Sequence, residues 1–176
     1  DPGYEDYVIY EDFENVEQGY GVLELAYASG IYTHLAEYRE EENQYVDYVV
    51  DGNYSLKTNE LGAYVGEVLR TNPNQAKMEA NTTYDISFAY QTGVEGRHHM
   101  EVRNSQGDVV YRYDFMPTEL EEGSHSLANR EVSGTFTTGD SDDYYLAIYK
   151  DSDNMAYPEE PEEGSYLERI YLSLDN

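Results

Sequence analysis

The chain has 176 residues, with 37 Asp and Glu against 10 Lys and Arg and a formal net charge of −27. A field of that sign repels phosphate backbones and anionic headgroups, which sets aside nucleic acid and membrane surfaces as partners. No apolar run is long enough to cross a bilayer as a helix, and the absence of cysteine removes disulfides, thiolate nucleophiles and sulfur-ligated zinc. The acidic excess favours solubility, divalent cations and neutral ligands, although most carboxylates read as solvated surface and a salt-adapted source would give the same excess. Tryptophan is absent while there are 21 tyrosines, whose apolar rings and polar tips suit half-buried strands and ligand-facing surfaces alike. The chain opens on "DPGYEDYV" without Met or a signal-peptide pattern. A single domain over 1–176, excised from a larger multidomain protein, is expected.

Taken in chain order, the first segment is "DYVIYEDF" (6–13), whose alternation predicts a strand with Tyr7, Ile9 and Phe13 on one side. The charged stretch "THLAEYREEENQY" (33–45) is too short and polar for a stable helix and reads as a loop with at most one helical turn. "DGNYSLK" (51–57) combines a turn, Asp51-Gly52-Asn53, with a strand in which Tyr54 and Leu56 alternate with Ser55 and Lys57. "YDISFAY" (84–90) places Tyr84, Ile86, Phe88 and Tyr90 on one face. Further strands follow at 108–115, 134–138, 143–150 and 165–174, separated by turn clusters such as "NSQGD" and "TTGDSDD". Many short strands without helical periodicity predict an all-β sandwich.

Candidate chemistry is sparse. The acidic loop at Asp151 is no EF-hand, because Met155 and Ala156 stand where an oxygen ligand and glycine are required. His98 and His99 are adjacent and, on a strand, point to opposite faces, so they cannot chelate one metal together. One is expected at the surface and the other packed or lining a loop. With 37 carboxylates, some pair always falls at glycosidase spacing, so acids alone do not indicate catalysis. The nucleophile-elbow, phosphate-loop and His-Glu-x-x-His patterns are absent. Sugars are bound by aromatic faces beside planar polar groups. Groupings of that kind are Tyr32, His34 and Tyr38 in the first long loop, Tyr64, Arg70 and Asn72 around "GAYVGEVLRTNPN", and Tyr145 with Tyr149 on a concave face. Most tyrosines must nevertheless be structural.

Three stretches together resemble jelly-roll carbohydrate-binding modules of the galactose-binding-like superfamily: "EDFENVEQGYG" (11–21), "DGNYSLK" (51–57) and the closing "GSYLERIYLSL" (164–174). Adding "THLAEY" (33–38) makes the order similar to the accessory domain of bacterial endo-α-N-acetylgalactosaminidases, which cut O-glycans from mucin-type glycoproteins. The resemblance implies a jelly-roll β-sandwich of two antiparallel sheets with the termini on neighbouring strands. It also implies a non-catalytic module of a secreted or cell-surface glycoside hydrolase, whose catalytic domain lies outside this chain. Its partners would be carbohydrate, galacto-configured, and the neighbouring domains. The alternative is a purely structural or adhesive sandwich with no sugar site.

Such modules share a structural calcium between the first strand, this turn and the last strand. Here the resemblance assigns Asp12 and Glu14, Asp51 and Asn53, and Glu168, toward the roughly six to eight oxygens calcium takes. Glu168 also stands out by itself, as an acid among Tyr166, Ile170, Leu172 and Leu174 on one strand face. A buried carboxylate needs a cation or donors; convergence of three segments favours calcium over satisfaction by Arg169 or a tyrosine hydroxyl, or a place at a frayed exposed edge. Arg169 occupies a position where these modules often carry a second acid.

Overall fold

A two-residue side-chain period sets the architecture. The computed structural model describes residues 7–14, 23–25, 34–37, 54–57, 65–92, 97–116, 130–151 and 170–171. Every regular element among them is a strand: β1 (Leu23–Leu25), β2 (His34–Glu37), β3 (Tyr54–Lys57), β4 (Gly66–Thr71), β5 (Thr83–Thr92), β6 (His98–Arg103), β7 (Val109–Asp114), β8 (Arg130–Thr137), β9 (Tyr145–Lys150) and β10 (Ile170–Tyr171). They form two antiparallel five-stranded sheets, ordered β1-β4-β9-β6-β7 and β2-β3-β10-β5-β8. The chain passes repeatedly between the two sheets, giving the expected β-sandwich.

The core lies where the inner faces meet. The second sheet contributes Phe88 and Tyr90 from β5, Phe136 from β8 and Leu56 from β3, and the first contributes Val68, Leu69, Met100, Val102, Leu146 and Ile148. Burying each such side chain contributes about 1.5–3 kcal/mol. Tyr84 and Ile86 pack against this cluster, so the single-sided face read from "YDISFAY" is borne out. Gly134 on β8 belongs to the same interface: a Cβ there would sit 3.3 Å from Tyr111 Cε1, so the missing side chain lets β7 and β8 approach.

One end of the sandwich is closed by aromatic rings. Phe88, Tyr90, Tyr113 and Phe115 meet in edge-on contacts, with Tyr90 and Phe115 centroids 4.8 Å apart. The Tyr90 hydroxyl lies 2.8 Å from the Tyr113 hydroxyl, donates to Met116 O at 3.1 Å, and accepts from Met116 N at 3.2 Å. Burial and the Tyr113 hydrogen bond push the Tyr90 phenol well above its ordinary pKa.

Two expectations are corrected. Residues 7–14 form no strand. Glu11 Oε2 accepts from Phe13 N at 2.9 Å and Asp12 Oδ1 accepts from Glu14 N at 3.1 Å, and such local carboxylate bonds compete with a sheet ladder. Phe13 takes a left-handed φ of 61° yet is fully buried, whereas Tyr7 is exposed. Within the expected loop at 33–45, residues 34–37 instead form β2, with Leu35 opposite the buried Leu56 of β3; pairing with a core strand overrides a weak local signal. The terminal residues lie outside the described ones; among the latter, β10 pairs β3, which sets the closing strand beside the strand of "DGNYSLK".

Truncation at the core and loss of one hydroxyl should separate cleanly in chemical denaturation. Phe88→Ala is expected to cost about 3–5 kcal/mol through the cavity it leaves. Tyr90→Phe keeps the ring and should cost about 1–3 kcal/mol, because Met116 loses its partner.

Candidate functional site

The outer face of the first sheet concentrates the polar and aromatic chemistry. Its construction begins with a bulge in β4, where Glu67 pairs with Tyr149 but Leu69 already pairs with Ile148. Residues three apart on a regular strand face opposite ways. Here the extra residue turns both Val68 and Leu69 into the core and returns Arg70 to the side of Glu67. The guanidinium then meets the carboxylate in a fork, Nε and Nη2 donating at 3.0–3.1 Å. The same guanidinium lies 4.5 Å above the Tyr145 ring centroid. Burial alone would lower the Arg70 pKa, but the Glu67 hydrogen bonds and charge hold it above its ordinary value.

Cross-strand register extends this pair into rows. Glu67, Tyr149, His99 and Asp114 stand opposite one another across β4, β9, β6 and β7; Arg70, Ala147, Glu101 and Arg112 form the next row, and Tyr145 faces Arg103. Ala147, small and fully buried, lies between Tyr145 and Tyr149 beneath their neighbours. The Tyr149 ring stacks on His99 at 4.9 Å and 16°, and its hydroxyl accepts from Arg103 Nη1 at 3.4 Å. Burial pushes the Tyr149 phenol up, with the Arg103 hydrogen bond pulling the other way. Glu101 lies 3.6 Å from Arg103 and 3.9 Å from Arg112, and Arg112 also forks onto Asp114. That fork holds the Asp114 carboxyl below its usual range.

Among the described side chains, Arg70 meets Glu67, Arg103 meets Glu101, Arg112 meets Glu101 and Asp114, and Asp151 meets His99, so charges on this face are largely paired in a strongly acidic protein. Paired guanidinium and carboxylate planes beside aromatic rings offer many donors and acceptors with little net charge. Such a surface suits a neutral polyol. Elsewhere, a concavity of about 880 Å³ opens beside residues 7–11. It is walled largely by core side chains such as Ile86, Phe88, Met100 and Phe136, and it fits hydroxyl-rich ligands less well.

A family model described as galactose-binding domain-like matches residues 4–165. The chain belongs to the galactose-binding domain-like family. Domains of this family are typically non-catalytic binding modules of the carbohydrate-binding type.

Several expected residues can now be placed within the galactose-binding-like fold. Arg70 lies on the outer face against Tyr145, joining two groupings that the sequence suggested separately. Asn72 follows β4 and shapes a turn, its Oδ1 accepting from Asn74 N at 2.8 Å. His34 opens β2 in the other sheet. Asp12 and Glu14 lie in the irregular segment beside Phe13. Tyr32, Tyr38, Tyr64, Asp51, Asn53 and Glu168 lie outside the described residues. His98 and His99 do alternate on β6, but both are buried rather than one being at the surface. Sequence reasoning missed Glu67, Glu101, Arg103, Arg112 and Asp114. The doublet Val68-Leu69 signals the bulge, and "HHMEVR" aligns His99, Glu101 and Arg103 once its period is fixed.

Arg70→Met should lower stability by no more than about 1 kcal/mol, because its side chain is 41% exposed and such pairs are screened. Tyr145→Ala, which removes a buried ring, should cost about 3 kcal/mol or more. Thermal melts of the two variants check this order.

Proposed function

We propose that the chain is a non-catalytic, carbohydrate-binding accessory module of a secreted or surface bacterial glycoside hydrolase acting on mucin-type O-glycans. Family membership supports the binding class, and the resemblance of "THLAEY" and "VVDGNYSLK" to the endo-α-N-acetylgalactosaminidase accessory domain supports the parentage. The observation that carries the sugar reading is the outer face itself, where the half-buried Tyr149 ring stands near the Arg70 guanidinium, itself stacked on Tyr145. The ligand is a neutral, galacto-configured sugar rather than an acidic polysaccharide, since the −27 charge opposes a polyanion. Tyr64 and Asn72, which flank β4 in the sequence, remain proposed contacts of this ligand, while Tyr32, His34 and Tyr38 belong to a separate proposed grouping, since His34 opens a strand of the other sheet.

Titration with galactose, N-acetylgalactosamine and an acidic polymer, followed by NMR, tests this reading. The neutral sugars should bind weakly, near a millimolar constant of about −4 kcal/mol, and Tyr149→Ala should abolish the response. Binding to the acidic polymer alone would overturn the ligand class. A face whose arginines are already ion-paired also supports the alternative of a structural or adhesive sandwich. That alternative predicts no response to any sugar.

A structural calcium held by Asp12, Glu14, Asp51, Asn53 and Glu168 completes the proposal. Calcium at a hundredfold excess over its dissociation constant should raise stability by about 2.7 kcal/mol, and magnesium should substitute poorly. Glu168→Gln and Asp51→Asn should each blunt the calcium response. A melting curve indifferent to chelator, or restored equally by sodium at matched ionic strength, would remove the ion from the account.

A further inference from the structure

At one end of the outer face, three strands bring potential metal ligands together. His99 stands on β6, Asp114 is its direct partner on β7, and Asp151 immediately follows β9. Asp151 is anchored by its backbone N donating to Arg97 O at 2.6 Å. One ligand atom from each of the three residues lies within 4.8 Å of the other two, with His99 Nδ1 2.6 Å from Asp151 Oδ2. Sheet register fixes these positions, so the three groups do not depend on a flexible loop for their approach.

The imidazole is the informative member. Its side chain is 8% exposed, and the Tyr149 ring stacked at 4.9 Å sets its plane. Nε2 is buried and has no hydrogen bond among the described residues, although Glu101 Oε1 lies 3.3 Å away without the alignment of one. A ring bonded at Nδ1 and aimed at a carboxylate through Nε2 has the arrangement of a metal-bound histidine, whose outer N–H usually faces a carboxylate or carbonyl. The guanidiniums of Arg103 and Arg112 meet Glu101 and Asp114, whereas Asp151 meets only the imidazole, so these three acids against two guanidiniums leave negative charge for a cation to meet.

We propose that His99 Nδ1, Asp114 and Asp151 bind a divalent ion of the zinc type. One nitrogen and two carboxylate oxygens suit zinc and its transition-metal neighbours, whereas calcium and magnesium prefer oxygen alone. Water supplies the remaining position. Tetrahedral zinc separates its ligand atoms by about 3.3 Å, so the close His99–Asp151 contact opens by several tenths of an ångström as the ion enters. The ion takes the Nδ1 lone pair. In a neutral ring the proton moves from Nδ1 to Nε2, toward Glu101; in an imidazolium the Nδ1 proton passes to solvent. The site does not require that the face bind sugar, and it shares no residue with the proposed calcium ligands.

Isothermal titration with zinc chloride, calcium chloride and magnesium chloride at matched ionic strength tests the proposal on the intact chain. Zinc should show one saturable event that magnesium does not reproduce. Asp151→Asn should weaken it by about tenfold or more, and His99→Gln should remove it. Asp142→Asn, at a side chain 70% exposed beside Lys77, should leave it unchanged. With cobalt chloride, the visible absorption of a tetrahedral ion should appear in the wild type and fade in Asp151→Asn. Should His99→Gln lose the fold by circular dichroism, Asp151→Asn alone decides. Zinc heats equal in the wild type and Asp151→Asn, or reproduced by magnesium, would overturn the site.

Discussion

Strand β9 is packed on both faces, and most of the molecule is arranged around that constraint. Its inward side chains, Leu146 and Ile148, join the two sheets, while Tyr145, Ala147 and Tyr149 form the floor of the outer face. A central strand with two occupied faces cannot slip by one residue, since a slip would exchange core and surface sets. The register that protects the core therefore also aligns Glu67, Tyr149, His99 and Asp114 in a row across four strands. Thr71 on β4 reinforces the alignment, its hydroxyl accepting from Leu146 N at 3.0 Å.

The chemistry of the outer face follows from how its charges are paired. Arg70, Arg103 and Arg112 each lie against at least one carboxylate, so the guanidinium planes are held rigid before any ligand arrives. A rigid polar plane beside a ring loses little entropy when it meets a hydroxyl-rich partner. On the proposed reading, the same pairing would keep affinity modest, because a ligand would compete with contacts already made. A weak binding module that works by proximity to a neighbouring domain is consistent with such a surface.

Much of the architecture was legible in the sequence because period-two alternation is strong where one face is buried. Tyr84, Ile86, Phe88 and Tyr90 announce β5 and its inner face without ambiguity. The failures have physical causes. In residues 7–14 the alternating pattern is real, but Glu11 and Asp12 bond to nearby backbone N–H groups and bend the segment away from a ladder. In β2, strand formation depends on a partner some twenty residues later in the chain, which no local pattern encodes. The site was legible only in pieces: Arg70, Tyr145 and Tyr149 were visible as residue types, but their union depends on a one-residue bulge and on pairing between β4 and β9. His99 was read as half of an adjacent pair, whereas its partners come from β7 and from just beyond β9.

The hydrogen bond between Thr71 and Leu146 spans 75 positions, and that distance has a meaning during synthesis. A ribosome adding about 5–20 residues per second leaves roughly 4–15 seconds between the emergence of those two ends. For that interval β4 lacks the strand that belongs beside it, as β6 does from its own later emergence, and their main-chain groups are open to any neighbouring chain. Loop closure over such separations also slows pairing once β9 has emerged. The dense negative charge acquires a second use in this light: nascent copies repel one another while the first sheet waits for its middle strand.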